Sequence, residues 1–158
     1  MAATKTPMVE AQMLIRKPVA IVFQAFIDPE ITTNFWFTKS SGQLEIGKTI
    51  TWEWEMYGVS TNVFVKEIVP NKKLSIEWDN TPDVTVDFEF TQLTDETTYV
   101  VIKNYGFKET GDELIQAIKD NTGGFTTVLD GMKAYLEHNL KLNLIGDKFP
   151  KELSNHGQ

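Results

Sequence analysis

The chain has 158 residues, no cysteine and a formal net charge of −7. Its length predicts one domain with a proper core, and 41% hydrophobic and 11% aromatic residues are typical of globular proteins. The absence of cysteine excludes disulfides, thiolate nucleophiles and cysteine-ligated metals, and the acidic balance disfavours nucleic acid and anionic membranes as partners. No apolar run approaches the roughly 20 residues of a membrane span, and residues 1–7 lack an apolar leader core, so we expect a cytoplasmic location.

The first elements along the chain are a predicted strand and a pair of short helices. Val9 to Arg16 form the strand, and Pro18 suits the first turn of the next helix, where its missing N–H costs nothing. Apolar residues recur at helical spacing from Val19 to Ile27, and Asp28-Pro29 ends that helix. A second helical turn is predicted from Ile31 to Phe35.

Beyond Gly42 the apolar pattern changes to a period of two, which is typical of half-buried strands. Turn sequences separate the strands, among them Pro70-Asn71 and the run from Asp79 to Asp83. A spacing of about 8 to 14 residues between turns predicts an antiparallel meander rather than alternating strands and helices. The predicted strands are Ile50 to Met56, Thr61 to Val69, Leu74 to Trp78, Val84 to Thr91 and Thr97 to Tyr105.

The last third of the chain predicts helix. Thr110 or Asp112 can cap its start, and the run from Asn121 to Gly124 can interrupt it, since each glycine inside a helix costs about 1 kcal/mol. From Phe125 to Leu140 apolar residues fall at steps of three and four, which predicts a long amphipathic helix with one core-facing stripe. The polar residues predicted on its opposite side are Thr126, Asp130, Lys133 and Glu137.

Four stretches and the C-terminal tail carry a family resemblance. They are Asn34 to Phe37, Val65 to Pro70 before Leu74 to Trp78, Thr98 to Phe107, Gly124 to Leu136, and the tail Leu142 to Pro150. In this order they resemble the helix-grip superfamily (SRPBCC or START-like), and within it the branch named for the heat-shock-protein ATPase activator, often described as polyketide-cyclase-like. The resemblance covers about residues 8–150. One departure is Phe125, where the family usually has tryptophan.

The resemblance implies an α+β fold in which a curved antiparallel sheet of about six to seven strands wraps a long C-terminal helix, with two short helices after the first strand. In this superfamily the sheet and the helix leave a cavity for an apolar ligand, and the family shares no common catalytic residues. We therefore expect a single helix-grip domain over residues 1–158.

The candidate ligand-binding residues are mostly aromatic. Three tryptophans on one sheet face are difficult to pack without gaps, although aromatic residues also fill ordinary cores. Trp36 and Phe37 close one end of the cavity by resemblance, or else form a hydrophobic staple under the first helices. Asn104 is in phase with Val100 and Ile102, where its amide could orient a ligand carbonyl or hydroxyl. The full set is Trp36, Phe37, Trp52, Trp54, Trp78, Phe88, Phe90, Asn104, Phe125, Leu129 and Met132.

Few residues predict catalysis in such a cavity. Either Lys66 or Glu67 can face inward, and Glu67 is the one candidate for acid–base chemistry. His138 and His156 are far apart and make no metal site, and no glycine-rich phosphate loop is present, so we expect no cofactor. The carboxylates that alternate with the apolar face are expected on a solvated outer face: Glu53, Glu55, Asp87 and Glu89.

The sequence therefore predicts a protein that binds a small apolar molecule between the C-terminal helix and the sheet. A second hypothesis, from the resemblance, is a chaperone-interaction module that uses the acidic outer sheet face. The third is a cyclase- or hydrolase-like enzyme that uses Glu67 in the same cavity. Binding is expected rather than catalysis, with no nucleic-acid or membrane partner, and the sequence does not predict the oligomeric state.

Overall fold

The computed structural model describes residues 7–78 and 83–153, so residues 79–82 of the turn predicted at 79–83, and His156, lie outside the described residues. The elements in chain order are β1 (Val9–Ile15), α1 (Val19–Ile27), α2 (Pro29–Thr32), β2 (Lys39–Ser40), β3 (Thr49–Trp54), β4 (Val59–Val69), β5 (Lys73–Trp78), β6 (Thr85–Thr94), β7 (Thr97–Tyr105), α3 (Gly111–His138) and α4 (Leu144–Lys148). Seven antiparallel strands form one curved open sheet in the order β1-β7-β6-β5-β4-β3-β2. The α+β helix-grip fold is confirmed.

β7 lies next to the first strand of the chain and supplies much of the inner sheet face. It has the predicted bounds, and β1 pairs with it from end to end. Thr98, Val100, Ile102 and Asn104 are fully buried, whereas the residues between them are partly or fully exposed. The period-two pattern therefore placed Asn104 on the correct, inner face.

α1 and α2 follow β1 as predicted, and Asp28 joins them. Its side chain accepts a hydrogen bond from the Glu30 N–H at 2.9 Å, and Pro29 occupies the first position of α2, so that helix starts earlier than predicted. Phe26 of α1 packs on the sheet with its ring centroid 4.9 Å from that of Phe88. The helical pair thus covers the inner sheet face beside α3.

β3 is shorter than predicted. The strand ends at Trp54, and Glu55–Tyr57 form one turn of 3-10 helix. Gly58 closes this turn with a φ of 64°, a left-handed conformation that glycine adopts at little cost. Met56 therefore lies in the turn, and Trp54 is the last side chain of the strand.

α3 runs without a break, so the predicted interruption at residues 121–124 is wrong. The cost of about 1 kcal/mol per helix glycine is local, whereas helix formation is cooperative and most of its stability comes from tertiary packing. The Asn121 amide and the Thr127 hydroxyl each donate to a carbonyl four residues earlier, at 2.8 Å, so their polar groups are satisfied within the helix. Phe125, immediately after the glycines, is buried against the sheet.

The end of α3 also differs from the prediction. Asn139 adopts a left-handed conformation with a φ of 57°, and its N–H donates to the carbonyls of Ala134 and Tyr135. The helix therefore ends at His138, and Leu140 is 52% exposed beyond it. Leu140 is not part of the core-facing stripe.

Lys133 and Glu137 fasten α3 to the end of β1, although they were predicted on the polar side of the helix. The Lys133 ammonium donates to the Leu14 carbonyl at 2.8 Å and to the Glu137 carboxylate at 2.7 Å. That carboxylate, 8% exposed, also accepts the Arg16 N–H at 2.7 Å. Burial raises the pKa of Glu137, but the hydrogen bonds from Lys133 and Arg16 outweigh it and hold the pKa below its ordinary value.

Candidate functional site

An open cleft of about 710 Å³ lies between α3 and the sheet, and we call it the main cleft. Trp54 and Trp78, at the ends of β3 and β5, form an aromatic wall. Both are half-buried, so each keeps ring surface that a ligand can cover. Within the described residues, the lining consists of Trp54, Thr61, Trp78, Asp83, Val84, Asn104, Phe107, Lys108, Glu109, Ala117 and Asn121.

The cleft exists because only the second half of α3 packs tightly. The buried residues of this helix begin at Phe125, whereas residues 111–124 are exposed or half-buried. In this first half the side chains that line the cleft, Ala117 and Asn121, are small or polar. These side chains are too short to fill the space between this half of α3 and the sheet, and the main cleft remains open there.

Gly106 lies directly after β7, between the lining residues Asn104 and Phe107. Its φ is 95°, and a Cβ atom there would overlap the carbonyl oxygen of Asp83. Glycine therefore lets the chain after β7 approach the start of β6. Beside this crossing, the Lys108 ammonium lies 3.2 Å from the Asp83 carboxylate, and both side chains are largely exposed, so their charges offset each other at the mouth.

Asn104 is the polar group in the interior of this lining. Its side chain is fully buried, and its Nδ2 donates to the Thr85 carbonyl at 3.0 Å. Among the side chains that the structure describes, Asn104 Oδ1 is the one buried polar atom without a hydrogen-bond partner. A buried acceptor left unpaired costs about 1–3 kcal/mol.

Two further clefts share Trp54 and Asn121 with the main cleft. The smaller, about 190 Å³, is almost wholly apolar and is lined by Trp36, Trp54, Trp78, Asn121, Gly124, Phe125, Val128 and Ile145. The larger, about 680 Å³, is lined by Trp54, Tyr57, Val59, Asp120, Asn121, Ile145 and Phe149. The three clefts therefore meet at one aromatic and one amide side chain.

Tyr57 holds the C-terminal segment against these side clefts. Its hydroxyl lies 2.6 Å from the Phe149 carbonyl and 3.2 Å from the Ile145 carbonyl, and donates to them. Burial, and then the charge of Asp147, raise the pKa of Tyr57. The phenol therefore stays a donor at neutral pH and keeps Ile145 and Phe149 in the apolar lining.

A comparison with models of protein families matches residues 16–137 to the family described as activator of Hsp90 ATPase homolog 1-like protein. The chain belongs to this family. The match confirms the resemblance to the helix-grip (SRPBCC) superfamily and to its ATPase-activator branch. No curated protein matches the chain.

Solved structures share this fold. A Staphylococcus saprophyticus protein is 27% identical over 86% of this chain and 96% of its own, with a TM-score of 0.74. The Aha1 dimer from Colwellia psychrerythraea is 19% identical over 84% and 98%, with a TM-score of 0.70. An HSP90 activator from Plasmodium falciparum is 19% identical over 82% and 96%, with a TM-score of 0.64. At these identities, the last two show the fold alone.

The predicted ligand-binding residues divide into cleft walls and packed core. The walls contain Trp36, Trp54, Trp78, Asn104 and Phe125. The packed core alone contains Phe37, Trp52, Phe88, Phe90, Leu129 and Met132, whereas Trp36 and Phe125 belong both to the core and to a cleft wall. Trp52 stacks on Phe37 with ring centroids 4.4 Å apart and planes 15° apart, so both rings are already covered. A ligand in these clefts would contact the first group, and the second packs behind it.

The prediction that Lys66 or Glu67 faces the cavity is wrong, because a β-bulge between Val65 and Glu67 leaves both side chains exposed. Glu67 pairs with Lys73 at 3.4 Å, with its side chain about half exposed. The Lys66 ammonium lies 3.2 Å from the Thr85 hydroxyl. Glu67 is therefore not placed to act on a molecule in the main cleft.

Asp87 is on the outer sheet face as predicted, but it is not solvated. It is 6% exposed and accepts hydrogen bonds from the Ser75 hydroxyl at 2.6 Å and the Tyr105 hydroxyl at 2.7 Å. Burial, the hydrogen bond to Asp87, and the charges of Asp87, Glu89 and Glu67 raise the pKa of Tyr105 to about 12. This carboxylate links three strands by hydrogen bonds.

Sequence reasoning missed the helical side of the main cleft. Ala117, Asn121 and Phe125 recur at steps of four, which places them on one face of a continuous helix. The expected break after Asn121 concealed that spacing. Within residues 7–78 and 83–153, no three His, Cys, Asp or Glu side chains come together in a way that could hold a metal ion. No helix in those ranges is long and apolar enough to cross a membrane.

Proposed function

We propose that this protein binds a small, largely apolar molecule in the main cleft. The observation that carries the proposal is the shared aromatic wall at Trp54, where three clefts meet between α3 and the sheet. A volume of about 710 Å³ lies within the roughly 300–1,000 Å³ of known small-molecule sites. Membership of a helix-grip family agrees with a ligand at this position.

The wall residues can supply the binding energy. Trp54 and Trp78 are half-buried, so a bound ring would remove part of both indoles from water. At about 25 cal/mol per Å² of apolar surface, covering roughly 100 Å² of wall contributes about 2.5 kcal/mol before the surface of the ligand is counted. The proposal stops at binding, because the catalytic candidate Glu67 is exposed and paired with Lys73.

Filling the cleft tests the proposal without removing any native aromatic ring. Ala117 lines the main cleft, so Ala117→Trp should occupy the volume that a ligand needs. The matched control is Ile115→Trp on the same helix, because Ile115 is 65% exposed. A neutral naphthalene probe should bind the parent protein saturably, and its Kd should rise at least about tenfold in Ala117→Trp. In Ile115→Trp the Kd should stay at the parent value.

Two results would overturn this proposal. One is the absence of saturable probe binding to the parent protein. The other is a Kd in Ala117→Trp equal to that in Ile115→Trp, which would place the probe outside the main cleft. Circular dichroism and unfolding midpoints of both variants show that any loss of binding occurs in a folded protein.

A chaperone ATPase as partner is a second candidate, supported by the match to the family described as activator of Hsp90 ATPase homolog 1-like protein. The predicted surface, an acidic outer sheet face, has mixed charge instead, because Lys73 pairs with Glu67 and Lys103 with Glu89. The test is the ATP turnover of a purified Hsp90-class chaperone with and without this protein. A dose-dependent increase would support the candidate, and unchanged turnover at saturating protein would remove it.

A further inference from the structure

We infer that the ligand of the main cleft is a neutral molecule whose hydroxyl or N–H group donates a hydrogen bond to Asn104 Oδ1. This inference rests on the proposed binding function and names the chemical class that the site selects. It begins with the orientation of the Asn104 amide. The Thr85 carbonyl can only accept, so the end of the amide that meets it at 3.0 Å is the nitrogen. Oδ1 is therefore the end that lacks a partner.

An acceptor without a partner requires a donor. A ligand carbonyl, which the sequence left open, would bring two acceptors together and leave both unpaired. A hydroxyl or N–H group satisfies Oδ1 and removes the penalty of a buried acceptor without a partner. Asn104 thereby favours donors over acceptors, in the same way that other binding sites reject analogues lacking a hydrogen-bonding group.

The surroundings of Asn104 favour a neutral donor. The apolar part of the lining that contains Asn104 consists of Trp54, Trp78, Val84, Phe107 and Ala117. Of the charged side chains in the lining, Asp83 and Lys108 offset each other at the exposed mouth, and Glu109 is exposed to solvent. An ammonium group would therefore lose water without gaining a counter-charge next to Asn104, and a carboxylate would face its oxygen.

The donor must reach an atom that is covered in this conformation. Asn104 belongs to the cleft lining, yet its side chain is fully buried. Trp78 and Phe107 share that lining and are only half-buried, and Phe107 lies two residues beyond the end of β7 at Tyr105. We assign them as the side chains that shift when a ring enters. Binding should consequently change the tryptophan emission.

The test compares two probes with the same ring system. 2-Naphthol carries one hydroxyl donor, and 2-methoxynaphthalene replaces it by a group that can only accept. With the parent protein, 2-naphthol should bind about tenfold more tightly by calorimetry, the worth of one buried hydrogen bond. In Asn104→Leu, which is similar in size and apolar, that ratio should fall to about one. Because the ratio of the two Kd values is compared between the parent and Asn104→Leu, the difference in hydrophobicity between the probes cancels.

A second measurement serves if Asn104→Leu does not fold. The 13C resonance of the Asn104 side-chain carbonyl in the parent protein should shift on addition of 2-naphthol and not of 2-methoxynaphthalene. Equal Kd values for both probes in the parent protein, together with weaker binding in Ala117→Trp, would overturn the inference and leave the proposed function standing. A preference for 2-naphthol that persists in Asn104→Leu would also overturn the inference. No binding of either probe would overturn the proposed function and the inference together.

Discussion

Replacing Glu137 by glutamine should lower the free energy of unfolding by about 2 kcal/mol. The carboxylate accepts hydrogen bonds of 2.7 Å from Lys133 and from the Arg16 N–H, and hydrogen bonds to charged groups contribute about 1.5–3 kcal/mol each. Glutamine keeps one neutral acceptor and loses the charge. Lys133 is 33% exposed and retains the Leu14 carbonyl, so the loss stays below the about 3–5 kcal/mol of a broken, fully buried ion pair.

The same substitution has a pH signature. The folded-state pKa of Glu137 lies below its ordinary value of 4.5, so the carboxylate contributes stability above that value. This contribution is lost as the pH falls through the folded-state pKa, because the folded protein must then take up the proton that the unfolded chain already carries. The difference between parent and Glu137→Gln should be complete at pH 7 and shrink below about pH 4.

Urea unfolding at a series of pH values measures both effects, and the midpoint of thermal unfolding should fall by about 4–8 °C at pH 7. Asp130→Asn is the matched control, because Asp130 is exposed on the same helix and the substitution removes the same charge. If Glu137→Gln lost no more stability than Asp130→Asn, the proposed role of the Glu137 carboxylate in holding α3 to the end of β1 would be refuted. A difference independent of pH would refute the role of the charge.

Two further substitutions test the C-terminal end of β7. Gly106→Ala places a Cβ atom against the Asp83 carbonyl at a φ of 95°, so it should lower the free energy of unfolding in urea by about 2–4 kcal/mol. The control is Gly42→Ala, which has open space around its Cβ and should cost less than about 1 kcal/mol. Equal costs for the two variants would contradict the close approach of Gly106 to Asp83. Since the pKa of Tyr105 is about 12, its phenol keeps its proton in the folded state above pH 10, where the unfolded chain loses it. The parent should therefore lose stability relative to Tyr105→Phe between pH 10 and 12, and parallel stability curves would contradict the bond to Asp87.

Those features that depend on local periodicity could be predicted from the sequence. The alternation along β7 placed Asn104 on the inner face and set the strand bounds correctly, because a period of two reports facing directly. The helical spacing around Val19 to Ile27 likewise located α1. The order of these elements was sufficient for the family resemblance and hence for a curved antiparallel sheet against a long C-terminal helix.

Features that depend on distant partners could not be predicted. Lys133 and Glu137 look like exposed helix residues until the end of β1, more than a hundred positions earlier, covers them. The break expected at Gly123-Gly124 was a local argument, and the cooperative helix overrides it. Neither Lys66 nor Glu67 faces the cavity, because a bulge shifts the alternation of β4 by one residue. The composition of the strand does not predict this bulge.

The division between wall and core in the aromatic set has a similar cause. Trp52 and Trp54 share one face of β3, yet Trp52 is 1% exposed under Phe37 and Trp54 lines three clefts. Their difference is position along the strand: Trp54 is the last residue before the 3-10 turn. Alternation indicates the face of a sheet and carries no information about the distance from its end.

Two buried polar side chains on adjacent strands differ in how far their hydrogen bonds are satisfied. Asp87, on the outer face of β6, is satisfied by the Ser75 and Tyr105 hydroxyls, so it is explained as a link between strands. Asn104, on the inner face of β7, donates from Nδ2 to the Thr85 carbonyl, and its Oδ1 has no hydrogen-bond partner. An apolar residue at that position would fill the core without leaving an acceptor unpaired. The protein instead keeps an acceptor in the wall of its main cleft, and a donating ligand is the partner that would offset its cost.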